Sequence, residues 1–143
     1  MLDARPDFSV IIRDNESALA TALAHRNFVQ AFLLAHALIE SLLRLFLRKS
    51  GEKEQFSDLI DAYRQYLATQ SYSFPTFIDE LRQFNRRRNR MTHQLWRKGF
   101  SFTNTQAEPA ANAAVLMYGL FIEWLEIFDP EITRVGFTYD DSD

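Results

Sequence analysis

Residues 27–49 read NFVQAFLLAHALIESLLRLFLRK, a stretch without Gly or Pro that predicts the central helix of the fold. Its apolar side chains recur at helical spacing in two neighbouring stripes, so that most of the circumference is apolar. Such a surface is buried only if other helices pack around it. Gly51, which follows the basic Arg48 and Lys49, is expected to end the helix in a left-handed conformation.

Helical periodicity also predicts elements on both sides of this stretch. The expected helices lie at about residues 15–25, 55–69, 75–96 and 109–128. Pro75 suits the first turn of the fourth helix, and Asp129-Pro130 is expected to stop the last one.

The segments outside these helices carry weaker signals. Residues 99–106 are polar and predict a loop, at the end of which Thr105 and Glu108 have the spacing of a capping box. Residues 8–12 and 135–139 have strand character and are expected to pair as a short terminal β-ribbon. The predicted fold class is therefore all-α, a bundle of four to five helices with a short terminal ribbon.

Length and composition predict a single domain over residues 1–143, with a helical core at about residues 15–128. A chain of 143 residues with 47% hydrophobic residues can bury a substantial core. The absence of Cys, the three scattered His and the lack of a Gly-rich phosphate loop predict neither a metal site nor a cofactor. The longest apolar runs are interrupted before the ~20 residues of a membrane span, and no secretory signal is visible, so a cytoplasmic location is expected.

The charge of the chain is unevenly distributed. Residues 82–98 hold seven of the sixteen Lys and Arg and none of the nineteen acidic residues, so the rest of the chain has a net charge of −10. This distribution predicts one face that binds a polyanion. A solvated helix face without a ligand is the competing interpretation. The candidate RNA-binding residues are Arg82, Arg86, Arg87, Arg90, Trp96, Arg97 and Lys98.

Within this basic segment, a helical projection at about 100° per residue separates Arg88 from the other arginines. Arg88 falls in the middle of the apolar stripe, whereas His93 falls about 140° away on the basic face. A buried guanidinium needs a carboxylate partner. Glu40, which lies with His36 in an apolar stripe of the central helix, is the expected partner of Arg88. The competing interpretation gives this pair only the role of fixing how the helices pack.

Arg88-Asn89 followed by three residues and His93, late in a helix of an all-α domain, resembles the signature of the HEPN superfamily. The order of the elements over about residues 15–128 is also similar. The resemblance implies a metal-independent ribonuclease fold in which the motifs of two protomers face each other. It assigns catalytic roles to Arg88 and His93, with Asn89 as the adjacent polar residue. His36 and Glu40, which the helical projection places in an apolar stripe of the central helix, are the expected supporting residues. It further implies a toxin or antiviral defence effector, with an antitoxin or another regulatory protein as a partner.

The chemistry of RNA agrees with this resemblance. RNA carries its own nucleophile, the 2′-hydroxyl, so cleavage needs a proton acceptor and positive charge near the phosphate. An imidazole suits the first task and a guanidinium suits the second. The expected products are a 2′,3′-cyclic phosphate and a 5′-hydroxyl. Because Arg88 and His93 point in different directions on one helix, either the helix distorts or a second protomer completes the site.

Two other functions remain open at the level of sequence. One is a non-catalytic HEPN-like helical module that binds nucleic acid, a nucleotide or a protein partner. The other is a purely structural helical dimer in which the Arg88–Glu40 pair specifies packing. His93 would then be an ordinary surface histidine, and Trp96 would pack at an interface instead of stacking on a base.

Overall fold

The computed structural model describes residues 8–49, 53–70 and 76–137, and all regular structure in these ranges is helical. The all-α class is thus confirmed. Seven helices are present in the described ranges, two more than the largest number expected, because two short ones follow α4 and α6. They are α1 Phe8–Ala24, α2 Phe28–Phe46, α3 Phe56–Thr69, α4 Ile78–Lys98, α5 Phe100–Gln106, α6 Glu108–Glu126 and α7 Glu131–Val135.

Helix α2 is the centre of the fold, as its two apolar stripes predicted. All the other helices pack against it. Phe32, Ala35, Leu38, Ile39 and Leu42 are completely buried. Full burial of a leucine or phenylalanine side chain contributes about 1.5–3 kcal/mol each, so this helix supplies a large share of the stability of the core.

Helix α2 is also long and apolar enough to cross a membrane, judged by length and composition alone. No other helix in the described residues passes that test. Its most apolar stretch has a mean hydropathy of 1.5, and 56% of that stretch is buried by the surrounding helices. The central helix of a packed bundle is equally apolar, because other helices cover it.

An arginine in the left-handed conformation follows the C-terminus of both α1 and α2. Arg26 has φ 57° and Arg48 has φ 58°. After α2, the Lys49 amide donates to the Arg44 carbonyl at 2.7 Å, which is the hydrogen bond of a Schellman motif. The predicted end at Gly51 was therefore wrong, because the helix ends at Phe46; Ser50 and Gly51 themselves lie outside the described residues. Asp129 pairs with the Arg48 guanidinium at 3.2 Å and helps to hold this cap.

The predicted terminal β-ribbon was wrong where the structure describes it. Phe8 to Ile12 form the first turns of α1, since Ile12, Leu19 and Ala22 share a buried helical face. Val135 ends α7, and Thr138 and Tyr139 lie outside the described residues. The first and last described residues do meet, because the Phe137 ring packs edge-on against Phe8 with centroids 6.2 Å apart.

The segment between the fourth and last long helices was predicted as a loop but contains α5. Gly99, with φ 86°, separates α4 from α5. The predicted capping box is absent, because Thr105 donates to the Ser101 carbonyl at 3.1 Å and Ala107 is the N-cap of α6. Pro75, the expected start of the fourth helix, lies outside the described residues, and α4 begins at Ile78.

Candidate active site

Helix α4 carries the Arg88–His93 motif and packs one face against the core. Leu81, Phe84 and Met91 are buried, as the projection predicted, and Leu95 is partly buried. Arg88 lies on the same stripe but is exposed, so the predicted burial of this guanidinium was wrong. Between Phe84 and Met91, α4 lines an open groove whose other walls are mostly polar, and a long arginine side chain can extend into solvent there.

Glu40 does not pair with Arg88, contrary to the sequence prediction. The Glu40 carboxylate pairs with Arg44 one turn later on the same helix, with Oε2 3.2 Å from Nη2. Because this ion pair lies within one helix, it does not determine how α2 packs against another helix. Within the described ranges, no ion pair or side-chain hydrogen bond engages the Arg88 guanidinium. It is therefore available to a ligand.

The groove beside Arg88 lies where α2 and α4 approach the N-terminus of α3. We call it the polar groove, and its volume is about 260 Å³. Its lining contains two carboxylates, two guanidiniums and three carboxamides, and so offers both donors and acceptors. The lining residues are Glu40, Arg44, Glu54, Gln55, Phe56, Ser57, Asn85, Arg88 and Asn89.

His36 packs against Phe56, one of the residues that line the polar groove. It is 4% exposed, and its ring packs between Phe56 and Phe84 at centroid distances of 4.5 and 4.9 Å. The predicted position on an apolar stripe is confirmed. Burial and the positive charge of Arg88 lower the pKa of His36 from 6.5 to about 4, against smaller opposing effects of Glu40 and Asn85. His36 is therefore neutral at pH 7.

This depressed pKa predicts a pH-dependent loss of stability. The unfolded chain takes up a proton at His36 below pH 6.5, whereas the folded chain does so only below about pH 4. Stability should fall between these values, by up to about 3 kcal/mol from this residue alone. Denaturant unfolding of the wild type and His36→Leu between pH 7 and pH 4 measures the effect. Between pH 7 and pH 4, the free energy of unfolding should fall more in the wild type than in His36→Leu. Equal decreases in the two proteins would contradict the lowered pKa of His36. His25→Gln is the control at an exposed histidine.

His93 is exposed, as predicted, and lies outside the polar groove. It follows Asn89 by one helical turn, so the two side chains share a flank of α4. Because Asn89 lines the groove, this flank leads from Arg88 and Asn89 to the imidazole. The described residues provide no hydrogen bond that orients the His93 ring, whose centroid lies 6.5 Å from that of Trp96.

The remaining basic residues divide into two groups. Arg82 is half-exposed and pairs with Asp61 at 3.0 Å, so its charge is partly neutralised within the fold. The others have exposed side chains that are open to a polyanion, and Trp96 is 71% exposed beneath the Arg97 guanidinium at 5.4 Å. This second group consists of Arg86, Arg87, Arg90, Arg97 and Lys98.

Sequence reasoning did not find several residues of the polar groove. Four residues of its lining were not among the expected site residues: Glu54, Gln55, Ser57 and Asn85. The start of α3 among them is visible in the sequence, because the backbone N–H of Gln55 donates to the Asp58 carboxylate at 3.0 Å, as in a capping box. A second groove, between α4 and α6, was also missed. It consists of an apolar cavity of about 280 Å³ that Leu120 and Phe84 line and an adjoining one of about 500 Å³ near Arg90.

Comparisons with known proteins do not extend this description: no family model, curated protein or solved structure matches the chain. The resemblance to the HEPN superfamily therefore depends on the motif from Arg88 to His93 and on the order of the helices.

Proposed function

We propose that this protein is a metal-independent RNA endonuclease of HEPN type that acts as a homodimer. The main supporting observation is the flank of α4, on which the unpaired guanidinium of Arg88, the amide of Asn89 and the imidazole of His93 follow one another beside exposed cations. Positive charge binds the phosphates of RNA, and the two motif residues supply charge stabilisation and proton transfer.

The cleavage step needs no group beyond the side chains and the RNA. His93 accepts the proton of a 2′-hydroxyl, whose oxygen attacks the adjacent phosphorus. Arg88 donates hydrogen bonds to the phosphorane oxygens as negative charge develops. The bond from phosphorus to the 5′-oxygen breaks, and the leaving oxygen takes a proton from a general acid. The products are a 2′,3′-cyclic phosphate and a 5′-hydroxyl end.

A second protomer is the source of that acid in our proposal. Large apolar side chains at the end of α4 and in α5 are exposed in the isolated chain: Trp96, Phe100 and Phe102 are 71%, 54% and 45% exposed. Exposed apolar side chains that cluster beside charged ones are typical of protein interfaces. A two-fold interface there brings two motifs together, so that one imidazole accepts the proton of the 2′-hydroxyl and the other, in its protonated form, gives a proton to the leaving 5′-oxygen.

The biological role that accompanies this activity is that of a toxin or an antiviral defence effector in the cytoplasm. A ribonuclease of this kind harms its own cell unless it is restrained, so an antitoxin or another regulatory protein is part of the proposal. The groove between α4 and α6 supports a protein partner, because its lining is mainly apolar and includes one charge of each sign, Glu80 and Arg87.

The runner-up is a non-catalytic helical module that binds RNA, a nucleotide or a protein. One observation favours it, namely that no hydrogen bond orients the His93 ring within the described residues. Catalytic imidazoles are usually held by a second group. This candidate predicts binding without turnover.

Cleavage in the presence of EDTA separates the two candidates. The purified protein should cut single-stranded RNA with EDTA present, and the fragments should carry 2′,3′-cyclic phosphate and 5′-hydroxyl ends. Gel analysis of end-labelled RNA, with phosphatase and kinase treatment of the fragments, identifies those ends. RNA that is bound but remains intact would favour the non-catalytic module.

A further inference from the structure

We infer that the surface between α4 and α6 binds a second copy of this chain, with the two copies antiparallel and related by a two-fold axis. This inference goes beyond the proposed function and does not depend on it. We call this surface the α4–α6 face. Its exposed members recur at helical spacing on both helices, as Glu80, Gln83 and Arg87 on α4 and Ala113, Leu116 and Leu120 on α6.

Large apolar side chains of α6 are exposed on this face. Leu116 and Leu120 are 58% and 46% exposed, and because they are one turn apart, both extend from the same side of the helix. Ala113 is exposed on that side as well, three residues before Leu116. Contiguous exposed apolar surface of this kind is typical of a site that another protein covers.

One end of the α4–α6 face carries a large apolar side chain and a negative charge. Phe77 packs against Phe121 with ring centroids 5.1 Å apart, so the start of α4 lies beside the later part of α6. Glu80 and Leu120 are close in sequence to these two rings and therefore belong to this end.

The other end of the face carries small side chains and positive charge. Arg87, Ala110 and Ala113 line the adjoining cavity of about 500 Å³, which neither residue of the first end lines. Arg90 is a second cation there, and among the described residues no carboxylate lines this cavity. The two ends are thus opposite in side-chain size and in charge.

A two-fold axis that lies in the face and crosses both helices at right angles exchanges these two ends. Helix α4 then packs antiparallel to α4 of the second copy, and α6 does the same. Leu120 meets the small side chains and the cavity at the far end of the second copy, and Glu80 meets its Arg87. Within the described ranges neither Glu80 nor Arg87 forms an ion pair, so both charges are available.

This double match determines which occupant fits the face. One rotation satisfies both shape and charge, and symmetry repeats each contact. A different protein has to supply a small apolar side chain, a large one and two opposite charges in this order. A second copy supplies them from the same sequence.

The α4–α6 face leaves the catalytic motif uncovered. Arg87 and His93 are six residues apart, which places their side chains about 120° apart around α4. The association is therefore separate from the two-fold contact proposed near Trp96 and Phe100, and a chain that uses both contacts forms a tetramer. A regulatory protein that uses the α4–α6 face has to displace the second copy.

A single cysteine tests the geometry, because the natural chain contains no Cys. Gln83 is exposed and lies about midway between Glu80 and Arg87, so the two copies of Gln83 face each other near the axis. Gln83→Cys should give a covalent dimer with a short bismaleimide, seen on a denaturing gel. Ser17→Cys, at an exposed position of α1, is the control and should stay mostly monomeric. Cross-linking of Gln83→Cys no greater than that of the control would overturn the inference.

Exchange of the two charges tests the predicted pairing. Analytical ultracentrifugation over a concentration series compares the wild type, Glu80→Arg, Arg87→Glu and the double variant. Each single variant should associate at least about tenfold more weakly, because like charges then face each other. The double variant should associate as the wild type does, since both pairs form again with their signs exchanged. Arg13→Glu, on α1, is the control that should leave association unchanged.

Two results of this series would overturn the inference. One is a wild type that stays monomeric at every concentration. The other is a double variant that associates no better than the single variants, because charge pairing across the two-fold axis requires the exchange to restore the contact. Loss of association in the single variants with recovery in the double variant would support it.

Discussion

The His93→Ala variant is expected to cleave RNA about 10²–10⁴-fold more slowly than the wild type, because removal of a positioned general base costs that much. Single-turnover cleavage with excess protein measures the chemical step separately from binding. The variant should bind RNA with nearly unchanged affinity, since the phosphate contacts come from the exposed arginines of α4. Its thermal stability should also change little, because His93 is exposed and makes no hydrogen bond within the described residues.

A matched control is available at the other exposed histidine. His25 lies at the end of α1, where its Nδ1 is 2.9 Å from the Thr21 carbonyl oxygen. His25→Ala should leave the cleavage rate unchanged. Full activity in His93→Ala would remove the catalytic assignment, whereas equal losses in both variants would point to a general effect on the fold.

The central helix was predictable because one property determines it. A stretch that is apolar on most of its circumference can be stable only inside a bundle, and α2 occupies that place. Its ends were less predictable. The sequence indicated a glycine cap, but Arg48 adopts the left-handed conformation and forms an ion pair with Asp129 from a distant part of the chain. Long-range contacts of this kind override local signals.

The environment of Arg88 shows why a helical projection was insufficient. A projection gives the direction of a side chain but not the depth of the surrounding structure, and Arg88 points towards a groove instead of the core. The predicted partner Glu40 is satisfied by Arg44 on its own helix. The groove itself arises where α2, the start of α3 and α4 converge, and no local sequence pattern describes that convergence. The burial of His36 and the exposure of His93 were predicted correctly, because each depends mainly on one helix face.

The exposure of Arg88 also changes what its replacement should do. In the purely structural hypothesis, Arg88→Met leaves the buried carboxylate of Glu40 unpaired and destabilises the fold by about 3–5 kcal/mol. In the structure, Arg88 is exposed and Glu40 already has Arg44 as its partner. We therefore expect Arg88→Met to change the free energy of unfolding by no more than about 0.5 kcal/mol. Denaturant unfolding of Arg88→Met, Glu40→Leu and the double variant should give additive effects.

The same substitution should nevertheless strongly impair cleavage. Loss of a donor that stabilises charge in a transition state reduces turnover by about 10²–10³-fold. Arg88→Lys should recover only part of this activity, since an ammonium lacks the planar pair of donors that matches a phosphate. Arg13→Met, at an exposed arginine of α1, is the control that should cleave normally. A stable but inactive Arg88→Met protein supports a catalytic role for Arg88. A strongly destabilised variant would instead support the packing role, because removal of the guanidinium lowers the free energy of unfolding strongly only if the fold depends on it.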